Sequence, residues 1–256
     1  MAVGAGVPGW VDLGSPDLDA TKRFYGALFG WEPQTSPDPQ FGGYTIFTKD
    51  GRSVAGAGSL MTPDQPVAWT TYIIVSSADE TSDKISAAGG QVIAPPFDIA
   101  EQGRMAIALD AAGAAFGIWQ PGEMKGAELF NAPGALSWEE LYTRDVDSAK
   151  AFYSSVFGWA TEDTLDDAGT ITYTQWITGG RPVGGMMAMG DLFPADVPPY
   201  WGVYFGVTNC DEAAALVTRL GGTVVRPPVD IPEGRFANAV DPHGATFSVF
   251  EPAAAA

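Results

Sequence analysis

Residues 9–121 are written a second time, with changes, at residues 137–252. Gly9-Trp10-Val11-Asp12-Leu13, then Asp17-Leu18-Asp19, Phe24-Tyr25 and Phe29-Gly30-Trp31, return as Ser137-Trp138-Glu139-Glu140-Leu141, Asp145-Val146-Asp147, Phe152-Tyr153 and Phe157-Gly158-Trp159. Gly89-Gly90, Pro95-Pro96, Asp98-Ile99, Gly103-Arg104, Asp110 and Gly113 match Gly221-Gly222, Pro227-Pro228, Asp230-Ile231, Gly234-Arg235, Asp241 and Gly244. A self-match of this length is the signature of a duplicated folding unit. It predicts two domains, residues 1–126 and 127–256. It also makes each copy a control for the other: a feature of both is scaffold first, and a feature of one is a candidate for local function.

Each copy opens with a short strand (Gly9–Gly14, Ser137–Thr143) and a helix. Ser15 and Thr143 are candidate N-caps, Pro16 suits the first helical position, and Gly30 and Gly158 stop the helices. Strands at Tyr44–Thr48 and Ser53–Leu60 follow, joined by the hairpin signal Lys49-Asp50-Gly51-Arg52; Tyr173–Thr178 and Pro182–Met189 repeat them. The pattern then restarts inside the copy, with a strand at Trp69–Val75, a helix at Asp79–Ala88 and three further strands. The expected architecture is α+β, four β-α-β-β-β modules in two tandem domains with curved mixed sheets and outer helices. Gly122–Pro133 and Asp191–Pro199 are the expected linkers, and Met1–Pro8 and Ala253–Ala256 the expected disordered ends.

Composition removes several function classes. Thirteen basic against thirty-one acidic residues give a net charge of −18, which disfavours a nucleic-acid or anionic membrane partner. No apolar run is long enough to span a bilayer and no basic leader opens the chain, so the expectation is a soluble cytoplasmic protein, monomer or homodimer. One cysteine, Cys210, and one histidine, His243, exclude an intrachain disulfide and Cys/His zinc sites. His243 is read as a surface turn residue, and Cys210 as packed and inert. Neither a phosphate-binding glycine loop nor a Ser-His-Asp set is present, and no cofactor is expected.

The strand–Asp-Leu-Asp–helix–Phe-Tyr…Phe-Gly-Trp opening, repeated in four modules, resembles the vicinal oxygen chelate superfamily, which includes glyoxalase I, bleomycin-resistance proteins and extradiol dioxygenases. Trp10-Val11-Asp12-Leu13, Gly234-Arg235-Phe236-Ala237 and Asp241-Pro242-His243-Gly244-Ala245-Thr246-Phe247 are similar to motifs of its actinobacterial tandem glyoxalase-like branch. The resemblance implies metal ligands at slots that here hold Trp10 and Trp138, Thr70 and Gly202, and Gly117 and Ser248. Those side chains do not form a metal site, so none is expected.

Strand alternation carries Asp12 to the same face as Trp10, and Glu140 to that of Trp138. On that reading each curved sheet holds one carboxylate among aromatics. Tyr72, Trp119, Tyr204, Ser248 and Phe250 complete the expected lining, and Met187, with Met186 and Met189 nearby, softens the second site. Asp12 and Glu140 are ligand anchors or catalytic bases with titration raised by burial, unless Arg52, Arg104, Arg181 or Arg235 pairs them. The function expected is metal-independent binding of a small, planar aromatic or polyketide-like compound, in a sequestration, carrier or resistance role. The alternatives are a metal-free enzyme of isomerase, lyase or hydroxylation type using those acids, and a degenerate interaction domain with filled sites.

Overall fold

The computed structural model of the chain describes residues 4–62, 64–190 and 193–254. The first copy runs β1 (Val7–Ser15), α1 (Leu18–Phe29), β2 (Glu32–Thr35), β3 (Thr45–Lys49), β4 (Arg52–Ser59), β5 (Trp69–Ile74), α2 (Ala78–Ala87), β6 (Gln91–Ile99), β7 (Gly103–Leu109) and β8 (Ala115–Pro121). The second repeats it as β9 (Leu136–Thr143), α3 (Val146–Phe157), β10 (Ala160–Leu165), β11 (Ile171–Thr178), β12 (Arg181–Ala188), β13 (Tyr200–Gly206), α4 (Cys210–Arg219), β14 (Thr223–Ile231), β15 (Gly234–Val240) and β16 (Thr246–Pro252). Strand orders β2-β3-β4-β1-β5-β8-β7-β6 and β10-β11-β12-β9-β13-β16-β15-β14 make two eight-stranded sheets. In each, two parallel pairs (β1 with β4 and β5 with β8; β9 with β12 and β13 with β16) adjoin antiparallel ladders. The fold is the expected α+β tandem.

Local chemistry explains where the elements differ from the sequence reading. β1 continues to Ser15, so the caps fall two residues later: Asp17 accepts from the Ala20 amide and Asp145 from the Ser148 amide. Ser15 and Thr143 instead accept from the Asp17 and Asp145 amides. Gly30 and Gly158 do end the helices, at φ of 70° and 72°, a conformation glycine adopts without strain. β2 and β10 are almost wholly exposed and carry no apolar alternation, so the periodicity does not reveal them. Val7 and Pro8, expected in a disordered end, begin β1, and Gly6 donates its amide to Ile74. Met1–Val3, Ala255 and Ala256 of the expected ends, and Asp191 and Leu192 of the expected linker, lie outside the described residues. No described helix is long and apolar enough to cross a membrane.

Packing groups the modules differently from the chain order. Residues 1–9, 71–126 and 139–202 form a first compact unit, and residues 10–70, 127–138 and 203–256 a second. In the first, Ile73, Ile85, Phe116 and Ile118 share a core with Leu141, Phe152, Tyr153 and Trp176. In the second, Val11, Phe24, Tyr25 and Phe47 share one with Val203, Phe205 and Phe247. Each core is crossed by the same hydrogen-bond chain. Trp201 donates to Tyr153 at 2.8 Å and Tyr153 to Asp110 at 3.0 Å; Trp69 donates to Tyr25 and Tyr25 to Asp241, both at 3.1 Å. Burial, then the neighbouring carboxylate, lifts both tyrosine hydroxyls well above the usual range, so they stay protonated donors.

Candidate functional site

On β1 of the second unit, Val11 and Leu13 point into the core, which leaves Trp10 and Asp12 on the opposite face. There Trp10 Nε1 donates to Tyr44 Oη at 3.2 Å, and Tyr44 Oη donates to Asp12 Oδ2 at 3.2 Å. Gly56 stands directly beside Asp12 in the parallel pair, and a Cβ there would overlap the Tyr44 hydroxyl. A glycine is what lets the phenol lie across the sheet to the acid. Desolvation, reinforced by Asp12, raises the Tyr44 hydroxyl well above its ordinary value, so it remains a donor.

The first unit repeats the arrangement. Leu141 enters the core, while Glu140, 7% exposed, accepts from Tyr173 Oη at 2.8 Å. Tyr142, on the same face, stacks on Tyr200 with centroids 4.8 Å apart and planes 20° apart, and lies 5.5 Å from Phe193. Burial and then the charge of Glu140 push the Tyr200 hydroxyl up to about 12. Met187 is half-buried and pairs in register with Tyr142, whereas Met186 is core filling. The sequence reading missed Tyr44 and Tyr173. The signal was present: both copies place them three residues before the core aromatics Phe47 and Trp176, on the opposite strand parity.

Tyrosines hold the acids, while three of the four arginines considered as partners engage other carboxylates. Arg104 binds Asp79 and Asp98, Arg235 binds Asp211 and Asp230, and Arg52 approaches Asp50. The other expected lining residues pack as follows. In the first unit Tyr72 lies flat over Gly117, and Trp119 folds over Gly103 while donating to the Met124 carbonyl at 2.9 Å. In the second, Tyr204 approaches Phe236 at 5.9 Å, and Ser248 Oγ accepts from Asn238 at 2.7 Å. Phe250 helps line a cavity of about 100 Å³ with Asn131, Ser137 and Val207. Trp138 is half-buried on β9.

Two single-copy residues resolve differently. Cys210 is buried and its thiol is raised to about 11, chiefly by burial, which keeps it an unreactive thiol. His243 sits in its turn, half-buried. Its Nε2 is buried without a hydrogen-bond partner among the described residues, and the ring borders a groove with Arg23, Phe24 and Leu220 in the second unit, because the Asp241 turn presses against α1.

The sequence profile of the Glyoxalase/Bleomycin resistance protein/Dioxygenase superfamily matches the chain twice, over residues 8–118 and 135–249. The chain is 41% identical over 260 residues to the anthracycline biosynthesis protein DauV of Streptomyces sp. (strain C5), covering 96% of this chain and 93% of DauV. It is 43% identical over 253 residues to CFP32 of Mycobacterium tuberculosis (strain CDC 1551 / Oshkosh), which carries a provisional glyoxylase name, covering 97% and 95%. Its fold is similar to the Mn(II)-bound glyoxalase from Novosphingobium aromaticivorans, with a TM-score of 0.65 at 18% identity over 96% of this chain and 82% of that one. The 2,3-dioxygenase LapB from Pseudomonas sp. KL28 gives 0.67 at 15% identity, covering 98% and 93%.

A fold shared with a Mn(II) protein raises the question of a divalent ion here, and the side chains do not fit one. Trp10 offers only an indole N–H, already given to Tyr44. Gly117 and Gly202 have no donor, and the rings of Tyr72 and Tyr142 occupy the space where their side chains would stand. Ser248 Oγ is engaged by Asn238. Among the described residues no three of His, Cys, Asp and Glu form a group that could hold a metal ion.

Proposed function

We propose, for a chain that belongs to the Glyoxalase/Bleomycin resistance protein/Dioxygenase superfamily, metal-independent binding of a small planar compound, aromatic or polyketide-like. Residues 1–126 and 127–256 are the duplicated domains of this binder, and sequestration, carriage or resistance is its role. The observation that carries the reading is the tyrosine–carboxylate pair, Tyr44 with Asp12 and Tyr173 with Glu140, in the same slot of both copies beside side chains that suit no metal. The phenol gives its one proton to the carboxylate, so the pair presents acceptors, matched to a hydroxyl on the edge of a flat ring system. Within the respective units, Trp10 adds wall beside Asp12 and Met187 beside Tyr142 and Glu140. The resemblance to an anthracycline biosynthesis protein over almost the whole chain supports the ligand class.

Purified protein is expected to hold no stoichiometric zinc, iron, nickel or manganese. Elemental analysis finding about one transition ion per copy that survives a chelator would contradict this.

The same pair favours one second reading, a metal-free enzyme in which Asp12 or Glu140 removes a proton that the ligand presents. The two readings separate on one set of variants. For a binder, Asp12→Asn or Glu140→Gln weakens affinity by the worth of a hydrogen bond to a charged group, about 1.5–3 kcal/mol. For an enzyme the same changes cut turnover roughly 10²–10⁴-fold with affinity nearly intact. The binding outcome is the one expected.

A further inference from the structure

We propose that the Glu140 face of the first unit selects planar ligands that also carry a cationic amine, a specificity that rests on the binding reading above. Every group concerned lies within residues 139–202.

Four rings and an acid converge there. Tyr142 and Tyr200 stack at 4.8 Å, Phe193 stands 5.5 Å from Tyr142, and Tyr173 donates to Glu140 at 2.8 Å. The field of Glu140 reaches the aromatic pair: after burial, its charge raises the Tyr200 hydroxyl. Ring faces are electron-rich, and an ammonium over a Tyr or Phe face is attracted by the quadrupole, more so where water is partly excluded. A carboxylate beside those rings adds a full opposite charge. Tyr200 and Phe193 are only half-buried and can offer a ring face to a ligand. Met187 follows Tyr142 in register on β12 and adds a polarizable contact. The net charge of −18 draws cations toward the protein from a distance.

The other copy lacks the aromatic part. Gly14 and Ala68 stand where Tyr142 and Tyr200 do, and Gln65 and Leu60 press against Gly14. The difference is coordinated across two strands. Gly202 replaces Thr70, and a Cβ at Gly202 would come 2.9 Å from the Tyr142 ring. One strand carries a ring that the neighbouring strand makes room for. A tyrosine–carboxylate pair suffices in both copies for a neutral polar edge, so the additional rings of one copy need a separate reason, and a cation supplies it.

The test uses two probes with one anthraquinone ring, one bearing a 2-(trimethylammonio)ethyl arm and the other the isosteric, neutral 3,3-dimethylbutyl arm. Calorimetric titration of the full chain at low salt is expected to show the cationic probe bound about tenfold more tightly. Tyr200→Leu is expected to erase most of that preference while the neutral probe still binds, and Glu140→Gln to erase it while weakening both probes. Equal affinity of the two probes for the unaltered chain overturns the cation assignment and leaves planar-ligand binding standing. Failure of both probes to bind overturns both.

Discussion

Replacing Glu139 with valine is expected to stabilise the first unit at pH 7 by about 3 kcal/mol and to flatten the dependence of stability on pH. Glu139 lies on the core side of β9, on the parity of Leu141, and is only 5% exposed. Its Oε1 and the indole N–H of fully buried Trp176 have no hydrogen-bond partner among the described residues. Gly184 separates them, beside Glu139 on one side and paired with Trp176 on the other. The first copy has Val11, Ala55 and Phe47 at these three places, all apolar and all in its core. Burial alone pushes the Glu139 carboxyl to about 8.

The sign follows from which state holds the proton. Between the ordinary carboxyl range near 4.3 and about 8, the folded chain binds a proton at Glu139 that the unfolded chain has released. Stability therefore falls as pH rises through that window and levels off above it. Denaturant unfolding of both proteins at pH 5, 7 and 9 measures the difference. The gap between them should widen from pH 5 to 9; a constant gap would show that Glu139 is ionised in the folded chain.

Asp110→Ala is expected to cost about 3–5 kcal/mol, the largest loss of the variants considered. One Asp110 oxygen accepts the amides of Ala112 and Ala114, and the other the hydroxyl of Tyr153. Removing the acid strands the buried Ala114 amide and Tyr153 hydroxyl, together with the part-buried Ala112 amide. Asp241→Ala should behave alike, since Asp241 serves His243, Ala245 and Tyr25 in the same way. Thermal unfolding of the two variants gives the comparison. A loss below about 1 kcal/mol in either would mean that the turn re-forms its hydrogen bonds with solvent.

The repeat made the strand–helix order, the glycine helix stops and the facing of Trp10 and Asp12 legible, because all three depend on local spacing. It did not reveal that the cores join residues 10–70 to 203–256 and 71–126 to 139–202. Asp110 and Asp241 looked like turn residues, and only the fold brings Tyr153 and Tyr25 to them. The sequence placed Asp12 and Glu140 on the face opposite the core, yet their tyrosine partners sit 32 and 33 residues along the chain, where strand parity marks the face but not the pairing. Glu139 escaped notice beside Glu140, although strand parity puts the two carboxyls on opposite faces of β9.

The most direct test of the central claim is a titration of chelator-treated protein with a naphthacenequinone-type ring system, read by tryptophan fluorescence and calorimetry. Saturable binding near one ligand per site is expected, unchanged on adding zinc or manganese, and about ten- to hundredfold weaker in Tyr173→Phe combined with Glu140→Gln. Binding that appears only when a divalent ion is restored, or that the paired substitution leaves untouched, would contradict it.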